Sequence, residues 1–70
     1  MFIEIKKTAY NANEIMSIQM AEMGSGKHKR FVIELHMSNK EEHDIFFDND
    51  EEEFNRARSR LIELLEIKAV

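Results

Sequence analysis

Histidine and carboxylate side chains are the residues of this sequence whose spacing could support metal chemistry. His36 follows Glu34 by two residues, so in a strand both side chains point to the same side of the sheet. His43 would approach them across a hairpin, and two imidazoles with a carboxylate are ligands that zinc accepts. The ligand spacing is not tight, however, and polar residues on a solvated sheet face explain the pattern better. We therefore predict no metal and no cofactor.

The segment from Gly24 to Lys27 superficially resembles a phosphate-binding loop. That loop requires G-x-x-x-x-G-K-[ST] between a strand and a helix. Here Ala21 stands at the position of the first glycine and His28 at that of the hydroxyl residue. Because glycine adopts positive φ without strain, we predict that the segment is a hairpin turn.

A compact basic cluster follows in the same turn and consists of Lys27, His28, Lys29 and Arg30. On a protruding hairpin, such a cluster could contact the phosphates of a nucleic acid or nucleotide. The basic residues are not interleaved with aromatic residues on which bases could stack. The net charge of −4 also argues against non-specific nucleic-acid binding. We favour a solvated loop. The alternative function is a small nucleic-acid-binding regulator that uses this basic hairpin, with Arg56 and Arg60 as further candidates.

An acidic run from Asp48 to Glu53 lacks the glycine that a calcium loop needs at its turn. A helix start explains the run, because Asp50 precedes Glu53 by three residues, the spacing of an N-cap box. The following carboxylates complement the helix dipole. The apolar stripe of the predicted amphipathic helix comprises Phe54, Ala57, Leu61, Ile62, Leu64, Leu65, Lys68 and Ala69.

The remaining polar residues do not form a catalytic set. The four serines have no evident base partner, and Tyr10 lies in a predicted loop, where its ring is expected to pack at the end of the sheet. A nucleophile, a base and a group that orients the base cannot be named together. The sequence therefore predicts that the protein is not an enzyme.

The elements that position these residues are four predicted strands and the helix. Ile3 and Ile5 alternate with charged residues, and asparagines then predict a turn over 8–13. Further strands are expected over about 14–22, 30–37 and 43–47. The predicted fold is α+β, a four-stranded antiparallel meander with one C-terminal amphipathic helix packed on one face (ββββα), in a single domain over 1–70.

Strand alternation predicts which side of the sheet is covered by the helix. The residues expected beneath the helix are Ile3, Ile5, Met16, Ile18, Phe31, Ile33, Leu35 and one of Phe46 and Phe47. The opposite face has no second helix to cover it. The partner-binding residues predicted on that bare face are Phe2, Ile15, Val32, His36 and Phe46.

Length and composition limit the ways in which this chain can be stabilised. A chain of 70 residues buries only about 60% of its unfolded surface, and the absence of cysteine excludes disulfides. Self-association remains, so we predict a homodimer. The sequence contains neither a long apolar segment nor a signal-peptide pattern, which predicts a cytoplasmic protein without a membrane partner.

The segments Phe2–Ile5, Tyr10–Ile18 and Phe31–Leu35 resemble small uncharacterised proteins of bacteriophages and mobile elements of low-GC Gram-positive bacteria. The resemblance concerns architecture and covers nearly the whole chain. It implies an accessory or inhibitor protein that acts on a host or defence factor, and it carries over no functional residue. Together with the missing catalytic set, it makes a non-enzymatic protein-interaction module the leading functional hypothesis.

Overall fold

The computed structural model describes residues 1–68, with side chains for residues 1–67, and within them the chain forms five strands and one α-helix. The elements are β1 (Phe2–Ile5), β2 (Thr8–Asn11), β3 (Ile15–Met23), β4 (Arg30–Met37), β5 (Glu42–Phe46) and α1 (Glu51–Lys68). The predicted α+β class with a C-terminal helix is confirmed. The four-stranded meander is not confirmed, because the strands form two antiparallel sheets, β1–β2 and β3–β4–β5. Of the predicted stripe, the Lys68 side chain and Ala69 lie outside the described part of the chain.

The first hairpin turns at Lys6 and Lys7, earlier than the sequence indicates. Ile5 pairs with Thr8, and both lysines have positive φ, 51° and 68°, as in a type I′ turn. The prediction of a turn over 8–13 is therefore wrong for residues 8–11. Such turns normally contain Asn-Gly, so two lysines gave no signal. The Lys6 ammonium donates to the carbonyl of Phe46 at 2.7 Å, which ties the turn to β5.

Replacing Lys7 with glycine is expected to stabilise the fold. A side chain in the left-handed region costs about 1–2 kcal/mol, and the extra chain entropy of glycine offsets part of the gain. A net gain of about 1 kcal/mol would raise Tm by about 4–8 °C in a thermal melt followed by circular dichroism. Lys7→Ala is the matched control, because it removes the charge but keeps Cβ. If both variants melted alike, backbone strain at this turn would not be the cause.

A β-bulge in β3 changes which side chains reach the core. Ile15 pairs with Met37 and Ser17 pairs with His36, so Met16 is an extra residue on this strand. The bulge breaks the alternation, so Ile15 is fully buried whereas Met16 is 68% exposed. Two predictions are corrected here, Met16 in the core and Ile15 on the bare face.

The core lies between the three-stranded sheet, the first hairpin and α1. The ring of Phe54 stacks on Phe31 with centroids 4.8 Å apart, and Phe47 meets Phe54 edge-on at 5.8 Å. Phe47 is therefore the buried member of its pair, and Phe46 is exposed. The buried hydrophobic cluster comprises Ile3, Ile5, Ile15, Phe31, Ile33, Leu35, Ile45, Phe47, Phe54, Ala57 and Leu61.

Asp50 caps α1 as predicted, but only one of the two bonds of the predicted N-cap box is formed as expected. The Asp50 carboxylate accepts from the backbone N–H of Glu53 at 3.0 Å, which satisfies one of the free donors of the first turn. The N–H of Asp50 donates to the carbonyl of Phe47 at 2.9 Å, so the loop that leaves β5 supplies this second partner. The first half of the acidic run, Asp48 to Asp50, therefore connects the core residue Phe47 to the helix, which begins at Glu51.

Candidate functional site

The uncovered face of the three-stranded sheet has an apolar end and a polar end. Cross-strand pairing sets Ala21, Val32 and Phe46 side by side in one row. The next row holds Gln19, Glu34 and Asp44, and the row after it holds Ser17, His36 and Glu42. The predicted bare face therefore exists, but two of the three rows that cross all three strands are polar.

The predicted partner-binding residues do not all lie on this face. Val32, His36 and Phe46 do, although Val32 is buried and only Phe46 among these three is strongly exposed. Ile15 is in the core, for the reason given above. Phe2 lies in the separate two-stranded sheet, because its strand pairs with β2 and not with the larger sheet.

A histidine and two carboxylates converge at the polar end. His36 Nε2 lies 3.1 Å from Glu34 Oε1, and His36 Nδ1 lies 3.5 Å from Glu42 Oε1. One ligand atom from each of the three residues lies within 4.8 Å of those from the others. The side chains of Glu34 and His36 are each one third exposed. Glu34 and Glu42 thus lie near different ring nitrogens of His36.

His43 was the expected third member of this cluster, but it lies on the other side of the strand. It pairs with Leu35, while its neighbour Glu42 pairs with His36. The imidazole of His43 instead packs near the ring of Tyr10, with ring centroids 5.8 Å apart. Its Nε2 lies 3.4 Å from Oε2 of Glu41. A difference of one residue in register decides which of the two side chains reaches His36.

The basic hairpin carries less free positive charge than its sequence indicates. Gly24 and Gly26 adopt positive φ in the predicted turn between β3 and β4. The ammonium of Lys29 lies 3.2 Å from the carboxylate of Glu22 and 5.5 Å from the centroid of the Phe31 ring. The cleft formed by Lys27, His28, Lys29 and Arg30 is also lined by Asp48 and Asn49. The predicted solvated loop and its alternative, a phosphate-binding hairpin, both stay predictions.

An apolar groove lies between the first hairpin and the C-terminal half of α1. Its volume is about 280 Å³, and three of its lining side chains, Met1, Phe2 and Ile67, are 67%, 69% and 64% exposed. Its other lining residues are the charged Arg60 and Glu63 and the apolar Ile3, Ala12 and Leu64. Sequence analysis did not find this groove. Phe2 was a signal for it, but its location depends on how the hairpin packs against the helix.

Arg60 connects the two sides of the groove. Its Nη1 donates to the backbone carbonyl of Glu4 in β1 at 3.1 Å. The guanidinium has five N–H donors, so this single bond leaves others directed elsewhere. Among residues 1–68, no helix has both the length and the apolar character needed to span a membrane.

Comparisons with known proteins provide no relative of this chain. Searches against protein-family models, curated protein sequences and solved structures found no significant match.

Proposed function

We propose that this protein is a non-enzymatic interaction module that acts as a homodimer through the groove between the first hairpin and α1. The supporting observation is the convergence of Met1, Phe2 and Ile67, three large hydrophobic side chains that are each about two thirds exposed. Soluble proteins seldom expose such side chains together unless a partner covers them. Burying them is favourable at about 25 cal/mol per Å².

The charged residues that line the groove favour a second copy of this chain as the occupant of the groove. Arg60 and Glu63 lie on the same part of α1, three residues apart, and carry opposite charges. In an interface with two-fold symmetry, both copies use the same patch. A contact between residue 60 of one copy and residue 63 of the other therefore occurs twice. An antiparallel pair of α1 helices would bring Arg60 of one copy to Glu63 of the other.

Sedimentation equilibrium over a wide concentration range tests the dimer. Phe2→Ser and Ile67→Ser are each expected to weaken self-association at least tenfold. Truncation of a central apolar contact costs more than about 1 kcal/mol, and in a two-fold dimer the contact is lost from both copies. Met16→Ser is the matched control, since Met16 is equally exposed but does not line the groove. A strictly monomeric wild-type chain, or equal losses in all three variants, would contradict the proposal.

A charge exchange tests the symmetry of the contact. Arg60→Glu and Glu63→Arg should each weaken the homodimer, whereas an equimolar mixture of the two single variants should form a heterodimer. Heterodimer formation requires contact between copies, because positions 60 and 63 carry like charges within each variant chain. A mixture that associates no better than either variant alone would exclude the antiparallel arrangement.

A host or defence factor is the alternative occupant, which the resemblance to phage and mobile-element proteins implies. Capture of one protein from a host lysate that is lost in Phe2→Ser, retained in Met16→Ser and accompanied by a monomeric chain would replace the second copy with that partner. The groove would then keep its role, and the homodimer would be abandoned.

A further inference from the structure

We propose that Glu34, His36 and Glu42 form a binding site for one divalent transition-metal ion, and that this ion is Zn²⁺. This inference goes beyond the proposed dimer and does not rest on it. The site lies at the polar end of the three-stranded sheet, whereas the groove lies between the first hairpin and α1. Either proposal can fail without the other.

The surroundings of His36 favour a positive charge. Each of its ring nitrogens lies close to a carboxylate oxygen, at 3.1 Å and 3.5 Å. A neutral imidazole has one N–H donor and one lone pair, so one of these contacts would set a nitrogen lone pair against a carboxylate oxygen. A cation at that nitrogen makes the contact favourable, and it can be either the second proton of an imidazolium or a metal ion.

The shorter contact has the dimensions of a metal chelate. Zinc binds imidazole nitrogen and carboxylate oxygen at about 2.0–2.2 Å, so two neighbouring ligands lie roughly 3–3.5 Å apart. The separation of 3.1 Å between His36 Nε2 and Glu34 Oε1 falls in that range. These two atoms are the proposed ligands.

Glu42 then acts as a positioning residue. By accepting from His36 Nδ1–H, it would hold the proton on that nitrogen and leave the lone pair of Nε2 for the metal. Metal-binding histidines usually have such a carboxylate on the second ring nitrogen. Asp44 occupies the register position opposite Glu34 on the same face, but it is not a member of the group whose ligand atoms lie within 4.8 Å of one another. Water would complete the coordination on the exposed side.

The sheet supplies the rigidity that the site requires. Glu34 and His36 lie two residues apart on β4, the central strand, which is paired on both sides. Glu42 is fixed opposite His36 by the ladder between β4 and β5. A ligand set held by two paired strands needs little rearrangement when the ion binds. Imidazole and carboxylate donors together favour zinc, copper or nickel over magnesium and calcium.

Titration calorimetry of the untagged chain with Zn²⁺ in a non-coordinating buffer tests the site. The expected result is one ion per chain. Glu34→Gln and His36→Gln are each expected to weaken binding by about tenfold or more, since even outer-shell changes cost about 10–100-fold. Glu42→Gln keeps an acceptor for Nδ1–H and should change the affinity by less than either ligand variant.

Two further histidines in the chain provide controls. His43→Gln removes an imidazole that also lies near a carboxylate, and His28→Gln removes an exposed imidazole of the basic hairpin. Neither should alter zinc affinity, and circular dichroism should confirm that all variants are folded. The proposal is overturned if wild type binds no Zn²⁺, or if the control variants lose as much affinity as His36→Gln.

The site can also be identified without affinity measurements. In ¹⁵N spectra of the imidazole side chains, Zn²⁺ should shift Nε2 of His36 most and leave the nitrogens of His43 nearly unchanged. A shift that is largest at His43 or His28 would place the ion elsewhere and overturn the assignment.

Discussion

Replacing Phe47 with alanine is expected to lower the free energy of unfolding by about 3–5 kcal/mol. The side chain is 1% exposed and packs edge-on against Phe54, so truncation leaves a cavity in the centre of the core. The ammonium of Lys6 also lies 5.5 Å from the centroid of the Phe47 ring, a cation–π contact that alanine cannot make. Since domains are stable by only about 5–15 kcal/mol, the variant should be close to unfolded at 37 °C.

The adjacent residue is the control for this experiment. Phe46→Ala removes the same number of atoms from a side chain that is 51% exposed and belongs to the opposite face of the sheet. We expect a loss of about 1 kcal/mol or less in urea unfolding followed by circular dichroism. If the two variants lost equal stability, the orientation of β5 would be wrong.

Replacing Ile15 with alanine is expected to cost about 2–5 kcal/mol, whereas Met16→Ala should change stability by at most about 0.5 kcal/mol. Ile15 is fully buried and belongs to the core cluster, while Met16 is the additional residue of the bulge. The comparison is informative because strand alternation alone predicts the opposite result.

Chemical unfolding of both variants at equal protein concentration measures this difference. The concentration must be matched, because self-association would add to the apparent stability of the folded chain. A larger loss for Met16→Ala would mean that β3 has no bulge at this position. Ile15 would then point to the uncovered face, where the sequence placed it.

Features that depend on neighbouring residues were predictable from the sequence. The N-cap at Asp50 requires only the residue types of one helical turn, and Glu53 donates to it as expected. The apolar positions of α1 follow from its 3.6-residue period, and Phe54, Ala57 and Leu61 are buried. In β4, simple alternation correctly placed Phe31, Ile33 and Leu35 in the core.

Features that depend on pairing between distant segments were not predictable. The turn at Lys6 and Lys7 has no sequence signal, because lysine does not favour positive φ, and its position follows from the contact with β5. The bulge at Met16 likewise appears only when β3 pairs with β4. Both departures from local preference are compensated by contacts that form in the folded chain.

The candidate metal-binding histidines illustrate the difference between local features and features that depend on strand pairing. From sequence alone, the spacing of Glu34 and His36 placed both side chains on one face of a strand, which the structure confirms. Tertiary structure decided that Glu42, rather than His43, stands opposite His36. Side-chain direction within a strand has a period of two and is local, whereas the register between strands depends on turn length and core packing over the whole sheet. The groove beside α1 exists for the same reason, since the packing of the first hairpin brings Phe2 to Ile67.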